Sequence, residues 1–174
     1  MNISTKQILI MHLVSLALMV LVFRQSYLPE ITISASTTMD IPVKANDGDM
    51  ILNDVGAQYD GLITDVSRGW PCNGHFSERQ RTLYECALAT SNHMFSIIRP
   101  GMRMSDVDAT IRKYNAERLV EAGVMSSVDE VGTYMWHGGA HHIGYDVHDR
   151  VKRPEIIAPG MVFCIDVGIY HEEW

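Results

Sequence analysis

No stretch constrains the fold more than Asn53-Asp54-Val55-Gly56-Ala57-Gln58-Tyr59-Asp60-Gly61-Leu62-Ile63-Thr64-Asp65. An Asp-Gly pair between extended segments is a strong local signal for a tight β-hairpin. Two registers satisfy it. A loop at Tyr59-Asp60 sets Asp54 across from Asp65, whereas a loop at Asp60-Gly61 pairs Asp54 with Ser67 and leaves Asp65 two residues away. Side chains alternate with period two along a strand, so both registers place the two carboxylates on one face. Neighbouring anions on a sheet repel unless something positive lies between them. A bound metal ion would serve. Alone, the pair would be two solvated aspartates flanking a turn, so its meaning depends on the rest of the chain.

Two further clusters bear on it. Trp136-His137-Gly138-Gly139-Ala140-His141-His142-Ile143-Gly144-Tyr145-Asp146-Val147-His148-Asp149 holds half of the chain's 8 histidines. His137 and His141 have the spacing of a zinc-binding helix, but Gly138-Gly139 disfavours a helix and no Glu follows His137. A glycine-rich loop presenting imidazoles to a cleft fits better, and a surface loop with chance histidines is the plain alternative. The third cluster, Pro159-Gly160-Met161-Val162-Phe163-Cys164-Ile165-Asp166-Val167-Gly168, reads as a turn, a strand and a carboxylate. Asp54, Asp65, His141 and Asp166 together offer hard oxygens and one imidazole, a set suited to Mn²⁺, Co²⁺ or Zn²⁺. Several carboxylates can bridge two such ions about 3.5–4 Å apart.

The surrounding pattern is that of one packed unit. At 174 residues the chain can bury a single sizeable core. A net charge of −7 leaves no basic footprint and argues against nucleic acid as a partner. Cys72, Cys86 and Cys164 form neither a disulfide framework nor a Cys-x-x-Cys zinc pattern, which fits a reducing compartment or use in the core. Met50–Val55 reads as a central strand. Ser77 and Gln80 form a capping-box signature, predicting a helix to about Ile98 with Leu83, Tyr84, Ala87, Leu88, Met94 and Ile98 facing inward. Ser105-Asp106-Val107-Asp108 announces a second helix ending at Gly123, with Val107, Ile111, Tyr114 and Leu119 inward. The expected class is α+β, with helices covering one face of a curved antiparallel sheet.

The N-terminus has a different character. Ile8–Phe23 is almost wholly apolar between Lys6 and Arg24, slightly short of a confident membrane span. A signal anchor or signal peptide, a buried core helix and a misplaced gene start are the three readings. The expected division is therefore residues 1–46, an apolar leader with its linker, and 47–174, the packed domain that carries all three clusters.

Three blocks then carry a resemblance: DGDMILNDVGAQYDGLITDVSRGWPCNGHFSERQRTLYE, HGGAHHIGYDVHD and PGMVFCIDVGIY. Over Asp47–Trp174 the chain resembles the pita-bread metallopeptidases, and among them the Xaa-Pro aminopeptidases of the mitochondrial-type branch. The resemblance implies a partial pita-bread fold and two divalent metal ions, Mn²⁺ first and Co²⁺ or Zn²⁺ as alternatives. It implies peptide substrates with N-terminal Xaa-Pro, cleaved by a water activated between the two metals. By position, Asp54, Asp65, His141 and Asp166 match metal ligands, with Asp65 bridging. His137 and His148 match the family's substrate-orienting histidines, and Asp166 matches its general base. A mitochondrial location follows from the resemblance, a membrane or secretory one from Ile8–Phe23 if that run is an anchor or signal. Membrane contact through Ile8–Phe23 and a homo-oligomer remain open as further partners.

Four departures accompany the match. Asp166-Val167 stands where the family has Glu-Pro, shortening the carboxylate by one methylene; a displacement of about 1 Å at a base can cost ~10²-fold in rate. Ser67-Arg68-Gly69 replaces Thr-Arg-Thr, and Thr37-Thr38 lies where a His-Tyr pair is usual. The family's fifth ligand, a glutamate on a later strand, has no counterpart, since Glu172 and Glu173 lie too near Asp166. These departures support a second reading, a catalytically silent, truncated member retained as a binding or regulatory module or arising from a partial gene model. A prolidase, a methionine aminopeptidase and a histidine-rich metal buffer complete the alternatives.

Overall fold

The computed structural model describes residues 46–150 and 155–171. The apolar run Ile8–Phe23, the linker up to residue 45, and Glu172 and Glu173 lie outside the described residues. Within them, no helix is long and apolar enough to cross a membrane.

The hairpin comes first. Strand β1 (Met50–Val55) pairs antiparallel with β4 (Val66–Pro71), and the short strands β2 (Gln58–Tyr59) and β3 (Leu62–Ile63) pair beyond them. Asp54 faces Ser67 in one ladder and Tyr59 faces Leu62 in the other, so both belong to one hairpin closed by Asp60-Gly61. Asp60 has φ 49° and Gly61 φ 81°, the two positive values that a type I′ turn requires and that Asp-Gly tolerates. The second of the two registers is therefore the real one. Between the ladders the pairing is interrupted: Thr64 N–H donates to Ala57 O (2.9 Å), but Ala57 N–H donates to the Thr64 hydroxyl (2.9 Å). Gly56 lies at this interruption, where a Cβ would run into the Thr64 carbonyl oxygen.

β1 differs from the expected central strand. Its residues alternate between exposed and half-buried, Leu52 is 59% exposed, and among the described residues β4 is its one partner.

Helix α1 (Glu78–Ile97) starts as the capping box predicts: Ser77 Oγ accepts from Gln80 N (3.2 Å), and Gln80 Oε1 accepts from Ser77 N (2.9 Å). Its buried line is Cys86, Thr90 and Met94, spaced by four, while Leu88 is 48% exposed. Leu88 falls almost opposite Cys86 on a 3.6-residue helix, so apolar character alone misassigned it. Helix α2 (Met104–Glu121) begins one residue before Ser105, and its N-cap Arg103 makes no side-chain cap bond. The Met104 N–H is instead satisfied by Glu155 O (3.1 Å), beside a bridge between Arg103 and Ile156. Met104, Val107, Ile111, Asn115 and Leu119 form its inward line, and Tyr114 lies half-buried, stacked on His93 at 4.0 Å.

After a 3₁₀ turn (Val128–Glu130) and a single-turn helix α3 (Val131–Tyr134), strands β5 (Ala140–His142) and β6 (Phe163–Ile165) pair antiparallel. Ala140, Phe163, Ile165 and Val167 pack on a core of Met94, Met104, Val107, Ile111, Met135 and Ile157. Each fully buried Ile or Met there stabilises by roughly 1.5–3 kcal/mol. The expected α+β class stands, but among the described residues the strands form three separate two-stranded antiparallel ladders rather than one curved sheet, and the core shared by the two helices packs on the β5–β6 ladder.

Candidate metal centre

Strand parity selects what faces the site. In the β5–β6 ladder His141 lies opposite Cys164, and Asp166 N donates to Gly139 O (2.9 Å), carrying the pairing one step further. Ala140, Phe163, Ile165 and Val167 fill the core, so the alternate positions, His141, Cys164 and Asp166, turn to the opposite face. The hairpin meets this face because Ile63 N donates to Gly144 O (2.8 Å).

That meeting brings Asp65 to His141, with Oδ2 3.3 Å from Nε2 and both side chains less than one-fifth exposed. His141 Nδ1 lies 3.2 Å from the His142 carbonyl oxygen, an atom that can only accept. With Nδ1 donating to that carbonyl, Nε2 is the ring nitrogen that faces the Asp65 carboxylate. A proton on Nε2 or a metal ion between the two atoms would reconcile them, and the spacing suits the second. Two ligands each about 2.1 Å from one ion at the tetrahedral angle lie roughly 3.4 Å apart, close to what is seen. A ligating histidine whose other ring nitrogen donates to a carbonyl or carboxylate is the usual arrangement at metal sites. The residues present fit a divalent ion.

Electrostatics agree. The Asp65 carboxyl is held above the usual 3.8, first by burial, then by the charge of Asp54, with His141 acting in the opposite sense and Asp166 adding further repulsion. Asp54 and Asp65 thus share one face, as either register requires, and Ser67 Oγ donates to Asp54 Oδ1 (3.0 Å). Such a concentration of negative charge is what a bound cation would offset.

The remaining expected residues sit around this pair. His137 Nδ1 lies 3.8 Å from Asp166 Oδ2 and 2.6 Å from Gly138 O, while Nε2 lies 2.7 Å from the Tyr170 hydroxyl. With Nδ1 donating to the carbonyl, Nε2 accepts from Tyr170. Burial, then the charges of Asp166 and Asp54, push the Tyr170 phenol above 10, keeping it a proton donor at neutral pH. The exposed His148 ring packs edge-on against His141 at 4.5 Å. His142, turned from the site, lies 2.8 Å from Glu155 Oε1, though its Nε2–H is not aligned for a hydrogen bond.

Three contributors were missed from sequence. Asp108 Oδ1 accepts from Gly139 N (2.5 Å) and pins the glycine-rich segment to α2. Tyr170 orients His137. Cys164 is the third, for among the described residues Asp65, His141 and Cys164 are the one set of His, Cys, Asp and Glu whose ligand atoms converge, all within 4.8 Å of one another. Its thiol is pushed up to about 11 by burial first, then by Asp65 and Asp166. The signal was available: Cys164 has the same strand parity as Asp166.

The sequence matches metallopeptidase family M24 over residues 26–174. It is 33% identical over 135 residues to an Xaa-Pro aminopeptidase of Escherichia coli (strain K12), a match covering 71% of this chain and 31% of that protein. Xaa-Pro dipeptidase of Mus musculus is 31% identical over 148 residues, covering 71% of this chain and 30% of that protein. Among solved structures, Pseudomonas aeruginosa aminopeptidase PepP superposes with a TM-score of 0.65 at 32% identity, over 72% of this chain and 31% of that one. A Zn-substituted Escherichia coli aminopeptidase P in complex with product gives 0.61 at 32% identity, over 68% and 29%. The chain spans about 31% of the first of these relatives.

Proposed function

The chain belongs to metallopeptidase family M24 and has the pita-bread fold in part, and from that premise we propose that it holds the metal-binding portion of an aminopeptidase releasing the residue ahead of proline. The observation that carries this reading is the convergence of Asp65 and His141, whose Oδ2 and Nε2 lie 3.3 Å apart with both side chains largely buried.

Asp54, Asp65, His141 and Asp166 would hold a pair of divalent ions, Mn²⁺, Co²⁺ or Zn²⁺. When bound, such ions supply Lewis acidity towards a carbonyl and lower the pKa of a nearby water. The chain's own groups do the rest. Asp166 sits beside His137 as the carboxylate able to take and return a proton. Tyr170 fixes the His137 ring by donating to Nε2. A peptide carbonyl can only accept, so His137 would orient it through Nδ1–H in place of the Gly138 carbonyl, with the exposed His148 as a second donor. Ser67 holds the Asp54 carboxylate in place.

The purified chain tests this directly. It should bind Mn²⁺ or Co²⁺ in calorimetry, and Asp65→Ala should abolish binding while leaving circular dichroism unchanged. Unaltered binding in that variant sinks the ligand assignment. Arg-Pro-type peptides should lose their first residue while matched Arg-Ala peptides persist; equal cleavage of both removes the proline reading. A dipeptidase is the second reading, favoured by the 31% identity to Xaa-Pro dipeptidase. Cleavage of Gly-Pro dipeptide but not of a Gly-Pro tripeptide would select it.

A further inference from the structure

We propose that Cys164 is a metal ligand, adding a sulfur donor to Asp65 and His141 and turning the site towards Zn²⁺ or Co²⁺ and away from Mn²⁺. The inference rests on the metal reading of this same site and goes beyond it in naming a soft donor.

Geometry carries the argument. Cys164 and His141 are direct partners across the β5–β6 ladder, so their side chains leave the same face side by side. The sulfur, an Asp65 oxygen and a His141 nitrogen all lie within 4.8 Å of one another, a separation that ligands of one ion can close with small side-chain rotations. A cysteine used only for packing would occupy the parity of Phe163 and Ile165, which face the core. Cys164 takes the other parity and places a half-buried free thiol among carboxylates. Cys86 shows the contrast: it is buried among Ala116, Leu119, Met125 and Tyr134.

The chemistry follows from donor softness. Mn²⁺ prefers carboxylate, carbonyl and water oxygens, whereas thiolate with imidazole selects Zn²⁺ and its analogue Co²⁺. On binding, the Cys164 S–H bond breaks, its proton passes to solvent and a sulfur–metal bond forms. One imidazole, one carboxylate and one thiolate would give such an ion three protein ligands, a number typical of catalytic zinc sites.

Co²⁺ titration of the full chain, followed by absorption, reads the donor set without relying on turnover. Wild type should show a sulfur-to-Co²⁺ charge-transfer band in the near ultraviolet together with visible d–d bands. Cys164→Ser should lose the first and keep the second, while Cys72→Ser and Cys86→Ser keep both. Visible bands without a charge-transfer band in wild type overturn the cysteine proposal and leave the metal site standing. No visible bands at all overturn both. Should Cys164→Ser fail to fold, alkylation of wild type replaces it: Zn²⁺ must protect Cys164, and not Cys72, from iodoacetamide by mass spectrometry. Equal labelling of Cys164 with and without Zn²⁺ refutes the assignment.

Discussion

Gly139 lies between His137 and His141, and replacing it with alanine tests whether the helix behind the site sets its shape. A Cβ on Gly139 would lie 2.6 Å from Ile111 Cγ2, 2.9 Å from Cδ1 and 3.1 Å from Cβ. Carbon atoms normally rest about 3.5–4.0 Å apart, so the closest overlap is roughly 1 Å. Neither side yields easily. Ile111 is fully buried, and the Gly139 backbone is fixed by Asp108 Oδ1 at its N–H (2.5 Å) and by Asp166 N at its carbonyl (2.9 Å). Overpacking of this kind costs about 1–3 kcal/mol. Urea unfolding should show that loss for Gly139→Ala. A double-mutant cycle then locates it. Ile111→Val removes Cδ1 but keeps Cγ2, so it should leave most of the clash and combine with Gly139→Ala nearly additively, within about 0.5 kcal/mol. Ile111→Ala removes both atoms; it costs about 2–5 kcal/mol alone, yet the double variant should be more stable than the sum by about 1–2 kcal/mol. A neutral Gly139→Ala, or equal relief from Val and Ala, refutes the reasoning.

Three other outcomes follow from the same geometry. Thr90→Val should destabilise by about 1–3 kcal/mol in urea unfolding, because the Thr90 hydroxyl lies 3.0 Å from Asn115 Oδ1 in a region where Asn115 Nδ2 already lacks a partner. Ser67→Ala removes the donor that orients Asp54, and calorimetry should show metal affinity falling about 10–100-fold. Asp65, whose carboxyl is raised above 3.8 in the fold, should stabilise the metal-free protein fully below 3.8 and lose that contribution as pH rises through its higher folded value. Across that window the unfolding free energy of wild type should therefore fall relative to Asp65→Asn as pH increases, and saturating Zn²⁺ should remove the difference. A difference of the opposite sign would mean that Asp65 is held ionised rather than protonated.

What was legible in the sequence was local. The Ser77–Gln80 capping box and the Asp60-Gly61 turn each depend on residues a few positions apart, and both form as expected. The start of α2 was not legible, because its first N–H is satisfied by Glu155, far along the chain. Leu88 was misplaced since tertiary packing, rather than apolar character, chose the Cys86–Thr90–Met94 line as the buried face of α1. Cys164 was passed over for a different reason. Its distance from the other cysteines ruled out a Cys-x-x-Cys site, but the relevant partners were a histidine one strand away and an aspartate in another hairpin.

Asp54 and Asp65 share a face by hairpin parity, and His141, Cys164 and Asp166 share another by the β5–β6 ladder, yet neither ladder determines how the two faces meet. Among the described residues the backbone bond from Ile63 N to Gly144 O does so, two positions from Asp65 and three from His141. Tyr145, placed next to it, packs its ring over Gly61 at the hairpin tip. A slip of one residue at this junction would turn the facing side chains to the opposite side. The carboxylates would then point away from the imidazole while both hairpins kept their internal pairing. Metal binding is therefore expected to be lost before secondary structure when this junction is weakened.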